Sequence, residues 1–149
     1  MKRIVNALLG LAVLAAVAVT TTMSNQGIRS VHAQSGCSLA TLKGNYGLLY
    51  SGFSAQRTNG SPQFPTAATG VISFDGAGNA SGSFTISFNG KTTPGNPYIA
   101  TYTVNPDCSG LLTSTDADSA AFAIVSGGAE VLATDVTPGV TASLDLKKQ

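Results

Sequence analysis

The stretch Ala80 to Asn89, ASGSFTISFN, alternates Phe84, Ile86 and Phe88 with Ser83, Thr85, Ser87 and Asn89. A period of two is incompatible with a helix and puts the three apolar side chains on one face of a strand. Turn-forming DGAGN precedes it and joins it to the run Thr69 to Asp75, so the two runs read as a hairpin. The same pattern recurs along the chain. Asn45 to Ser54 alternates Tyr46, Leu48 and Tyr50 with Gly47, Leu49 and Ser51, and Tyr98 to Val104 sets Tyr98, Ala100, Tyr102 and Val104 against Ile99, Thr101 and Thr103. Leu111 to Thr115, Ala120 to Ser126, Glu130 to Val136 and Val140 to Leu146 complete the set, separated by NPDCSG, Gly127-Gly128 and Thr137-Pro138-Gly139.

After the N-terminal third, the only helical signal is one turn, LATLK, with Ser38 as N-cap and Gly44 as stop. NGKTTPGNP, Asn89 to Pro97, reads as turn chemistry throughout, and AQRTNGSPQFP, Ala55 to Pro65, as the longest irregular segment. About eight short strands joined by turns too short for parallel crossovers predict an all-β antiparallel meander. Such a meander closes into an eight-stranded up-and-down barrel, which leaves no exposed edge. The same strands would also serve a two-sheet β-sandwich.

With solvent outside, the inward set is Tyr46, Leu48, Ile72, Phe74, Phe84, Ile86, Phe88, Tyr98, Tyr102, Phe122, Ile124, Val140 and Leu144. A barrel of this size is either filled by its side chains or holds one small ligand, and residue counting leaves both readings open. For a small apolar molecule in the lumen, the candidate ligand-binding residues are Phe74, Phe84, Phe88, Tyr98, Tyr102 and Phe122. The four tyrosines, Tyr46, Tyr50, Tyr98 and Tyr102, are the most suggestive polar handles, each an apolar ring with a hydroxyl that orients a ligand.

The first third has a different character. Lys2 and Arg3 precede an apolar run from Ile4 to Val19, and Val31-His32-Ala33 supplies small residues at −3 and −1 of a cut between Ala33 and Gln34. Residues 1–33 are therefore predicted to be a secretory signal peptide and 34–149 a single mature domain, secreted or periplasmic and monomeric, with no membrane association after cleavage. An uncleaved anchor is the alternative, although lipid needs roughly 20 apolar residues. Lipid attachment at Cys37 is disfavoured because Gln34 stands where a lipobox needs an aliphatic residue.

In the mature segment Lys43, Arg57, Lys91, Lys147 and Lys148 face Asp75, Asp107, Asp116, Asp118, Glu130, Asp135 and Asp145. With so few cations and no basic cluster before the tail, nucleic-acid binding is disfavoured. Cys37 and Cys108 in an exported chain read as one disulfide, closing a loop of about 70 residues for on the order of 4 kcal/mol. His32, the sole histidine, leaves with the signal. Its loss removes a histidine base, a Ser-His-acid triad and His metal ligands. No S-x-x-K motif occurs to offer a Ser-Lys dyad. No metal site or cofactor is expected: DGAGN reads as a hairpin loop rather than a cation or anion site, Asp116-Ala117-Asp118-Ser119 as a solvated turn, and Glu130, Asp135 and Asp145 as a poor source of a catalytic pair. The sequons at Asn59 and Asn79 read as chance matches.

The succession CSLATLKGNYG, GVISFDGAGNASGSF, YTVNPDCSG and ATDVTPGVTASLDLKKQ, across nearly all of the mature chain, resembles a group of small exported bacterial proteins of unassigned function. Their barrel is like that of allene oxide cyclase and the calycins. The resemblance implies an eight-stranded barrel with an apolar lumen and carries over no activity, because the cyclase's site residues match no motif here. One departure is Ala100 in ATYTV, where that group often has glycine. Three readings follow: a non-catalytic barrel binding a small apolar ligand; a structural or surface-associated protein with a filled core, acting through its outer faces and the 55–66 loop; and, by fold analogy alone, an isomerase or cyclase.

Overall fold

The computed structural model describes residues 36–55 and 62–149. The predicted signal peptide and the cut between Ala33 and Gln34 lie outside them, as do residues 56–61 of the predicted loop. Eight strands follow one another: β1 (Gly44–Ala55), β2 (Gln63–Phe74), β3 (Asn79–Phe88), β4 (Lys91–Val104), β5 (Ser109–Ser114), β6 (Ser119–Val125), β7 (Glu130–Asp135) and β8 (Val140–Lys148). Each pairs antiparallel with the next, and β1 also pairs with β8 from Tyr46↔Lys148 to Ser54↔Val140. That last ladder makes a closed up-and-down barrel and rules out the two-sheet sandwich, which would leave β1 and β8 as edges.

Two strands start well before the sequence predicts, β4 at Lys91 and β2 at Gln63. Asn89 and Gly90, with φ of 47° and 80°, make the two-residue hairpin turn that an Asn-Gly pair favours. Lys91–Pro97 then continues as strand rather than turn, because the disruptive Pro94-Gly95 pair is accommodated in a β-bulge. The register jumps from Phe84↔Asn96 to Ile86↔Thr93, leaving Pro94, which has no N–H to give, and Gly95, at φ 68°, outside the ladder. Likewise Gln63, Phe64 and Pro65 pair with Ala55, Ser54 and Phe53, so the predicted 55–65 loop is strand from Gln63 onward.

Glycine marks places where neighbouring strands approach too closely for a side chain. Gly70 faces Phe84 across the β2–β3 ladder, and a Cβ at Gly70 would lie 2.7 Å from both Cα and Cβ of Phe84. The inward faces of all eight strands form one core, with Leu42, Tyr46, Ile72, Val131 and Leu146 the most deeply buried. Every residue of the predicted inward set lies on the inward parity of its strand, buried or half-buried.

Candidate functional site

The two ends of the barrel differ. At one end a 3-10 turn, Leu39–Leu42, lies against the strand termini, with Leu42 fully buried. Its capping box joins Ser38 and Thr41, whose Oγ1 accepts the Ser38 N–H at 3.0 Å. The Cys37–Cys108 disulfide ties the segment before it to the β4–β5 turn. The Cys37 N–H also donates to the Pro106 carbonyl at 3.3 Å.

Behind this plug sits an aromatic layer. Phe74 meets Tyr46 and Tyr102 edge-on, both at 5.2 Å between ring centroids. The Tyr46 hydroxyl donates to the Gly128 carbonyl at 2.6 Å, and the Tyr102 hydroxyl to the Leu39 carbonyl at 3.1 Å. Phe122 completes the layer over Gly110, its partner across β5–β6, where any side chain would occupy the space of the ring. Two of the four tyrosines are thus fastened to backbone carbonyls in packed surroundings. Burial raises the pKa of both, and Tyr102 adds to the shift at Tyr46.

The other end is hollow. A cavity of about 690 Å³ runs from a floor of Leu48, Ile72, Leu112 and Leu146 towards the end carrying the β5–β6 and β7–β8 turns. It is large enough for one small organic molecule, within the roughly 300–1,000 Å³ of ligand pockets. The space exists because inward positions of this half carry small side chains, Ala68 on β2 and Ala120 at the start of β6 among them, where the plugged end carries rings. Phe84, Ile86, Phe88, Leu144 and Val140 supply apolar wall, and Phe84 meets the Tyr98 ring edge-on at 6.3 Å.

The candidate ligand-binding residues therefore divide. Phe84, Phe88 and Tyr98 line the cavity; Phe74, Tyr102 and Phe122 lie in the closed aromatic layer, buried to within 6% exposure. The filled and hollow readings of the barrel each describe one end of it.

Of the polar rim, the sequence singled out Tyr50, read Asp118 and Ser119 as part of a solvated turn and Asp135 as a poor catalytic acid, and passed over Ser54, Thr66 and Thr137. Tyr50, Ser54, Thr66, Asp118, Ser119, Asp135 and Thr137 all contribute to the lining. Parity along β7 could have found Asp135, since Val131 and Ala133 point inward and Asp135 follows in step. Its Oδ1 accepts the Thr137 N–H at 2.9 Å, and the Tyr50 hydroxyl lies 3.3 Å from Ser54 Oγ. Burial pushes the Tyr98 hydroxyl up to about 12, with the negative charges of Asp118 and Asp135 adding to it. Tyr50 is raised for the same first reason, against an opposing hydrogen bond from Ser54.

The other acidic residues do not converge. Asp75 closes its own hairpin, accepting the Ala77 and Asn79 N–H groups on Oδ1 and the Asn79 amide on Oδ2, which holds its carboxyl down to about 2. Glu130 and Asp145 flank Lys147 on the outer face at 3.5 and 3.3 Å, while Asp135 points inward. Among the described residues no three His, Cys, Asp or Glu side chains gather as a metal site would need. Among them, too, no helix is long and apolar enough to cross a membrane, and the disulfide fits an oxidising compartment.

No protein-family model matches the chain, and no curated protein does. Among solved structures it is similar to a de novo designed fluorescence-activating β-barrel, at 11% identity and a TM-score of 0.46, over 76% of this chain and 99% of the design. At that distance the likeness carries no argument about function. The fold assignment stands on the strand pairing, which makes this chain an all-β protein with a closed, antiparallel, eight-stranded barrel.

Proposed function

We propose that the mature domain is an exported, non-catalytic binding protein that holds one small, largely apolar molecule in the hollow end of its barrel. The observation that carries this reading is the cavity of about 690 Å³, walled by Phe84, Ile86, Phe88, Tyr98 and Leu144. A volume of that size weighs against the reading of a structural protein with a filled core. Export is supported by the disulfide and by the charged, apolar and small-residue succession of residues 1–33, and the resemblance to small exported bacterial proteins points the same way. The proposal is tested on purified mature protein by titrating the neutral fluorescent probe N-phenyl-1-naphthylamine and by native mass spectrometry. Saturable enhancement and a one-to-one complex are expected. A flat titration together with a spectrum showing only unliganded protein would sink the idea.

A further inference from the structure

Among the described residues the charged groups lining the cavity are Asp118 and Asp135, both acidic. Asp135 carries the argument. It lies on the inward face of β7, and the Thr137 N–H fixes its Oδ1 at 2.9 Å, so a carboxylate is held at the rim of an otherwise largely apolar space. Hydroxyl and ring groups surround the same rim, with Tyr50, Tyr98 and Ser119 in the lining and Phe84 and Phe88 in the wall. Burial first, and then the like negative charge of the two carboxylates, raises the pKa of the Tyr50 and Tyr98 hydroxyls.

Carboxylate and aromatic faces together attract a cation, the first through charge and the second through the ring quadrupole. The same surroundings oppose a second anion, because like charges in a partly desolvated space repel more strongly than in water. A free fatty acid seated tail-down would set its carboxylate against this rim. An alkylamine seated the same way would bring its ammonium to Asp135.

We infer that the lumen selects an amphiphile with an apolar body and a protonated amine head, received by Asp135 at the rim, over one with an anionic head. The inference rests on the lumen-binding reading above and specifies the class of ligand. Three compounds that share one tail isolate the head group: dodecylamine, dodecanol and dodecanoate, each used to displace N-phenyl-1-naphthylamine at neutral pH and low ionic strength. Dodecylamine is expected to displace the probe at a concentration on the order of tenfold lower than dodecanoate, with dodecanol between them. Asp135→Asn retains an Oδ1 for the Thr137 N–H and removes the charge, so it should shrink the several-fold preference for dodecylamine over dodecanoate, the neutral dodecanol serving as the reference. Added salt should shrink that advantage in the unaltered protein as well.

Dodecanoate displacing as well as dodecylamine, or an amine preference untouched by Asp135→Asn, overturns the head-group inference while leaving lumen binding intact. If the probe and all three compounds fail to bind, lumen binding itself is wrong and the head-group inference falls with it.

Discussion

Tyrosine placement carries much of what distinguishes the two ends of the molecule. Tyr46 and Tyr102 spend their hydroxyls on backbone carbonyls, whereas Tyr50 and Tyr98 border the cavity. Tyr46→Phe would leave the buried Gly128 carbonyl without its 2.6 Å donor, at an expected loss of about 1–3 kcal/mol in urea denaturation. The rim pair predicts an alkaline signature. Tyr98 has a folded-state pKa raised from 10.0 to about 12, so the unfolded chain loses that proton first as pH rises. The contribution to stability is fully present below pH 10.0 and is lost as pH climbs towards about 12. An ultraviolet titration of the folded protein should show a late tyrosinate component that Tyr98→Phe removes. If Tyr98→Phe leaves the late component in place, the assignment is wrong. The inward placement of Tyr46, Tyr98 and Tyr102 was legible in the sequence, and Tyr50 shares the parity of Tyr46 although the inward set omitted it; their division between the two ends was not legible, because it depends on which rings stack in one layer across several strands.

Among the elements, strands whose alternation is clean were readable directly: β1 and β3 are each predicted to within a residue at either end. The start of β4 was not, because Pro94 and Gly95 are strand breakers on any local scale, and only pairing with β3 turns them into a bulge. The plug is the converse case. Its sequence, a single turn capped by Ser38, forecasts a short helical element, but nothing local says that Leu42 will be fully buried beneath an aromatic layer. The disulfide is the covalent tie of that segment to the barrel, beside the buried Leu42 and the Tyr102 hydroxyl on the Leu39 carbonyl. Cys37→Ser with Cys108→Ser should lower stability by about 4 kcal/mol, given the separation of 71 residues, while the far-ultraviolet β signal persists below the transition. An unchanged denaturation midpoint would show that the plug is held by packing alone.

For the whole molecule, the meander predicts the barrel, and the decisive β1–β8 ladder confirms it at a range no window of sequence samples. Whether the interior is full depends on the sum of inward volumes at each level of the barrel, a property of eight strands in register. Two alanines show this. Ala68 and Ala100 are both buried at inward positions, yet Ala68 borders the cavity and Ala100 belongs to the packed core. Ala68→Leu should therefore be tolerated to within about 1 kcal/mol and reduce probe binding, whereas Ala100→Leu should cost about 1–3 kcal/mol through overpacking. Equal costs measured by thermal or urea unfolding would contradict the division of the interior into a solid and a hollow half.

On the proposed reading that the cavity holds a ligand, the plug at Leu39–Leu42 also dictates how traffic through the barrel must run. With one end stoppered, the interior is a cup and not a tube, so arrival and departure share a single doorway. A guest leaves by the way it came, and a newcomer cannot push it out from behind. Replacement must wait for the doorway to clear, which makes the departure rate of the resident molecule the clock for every exchange.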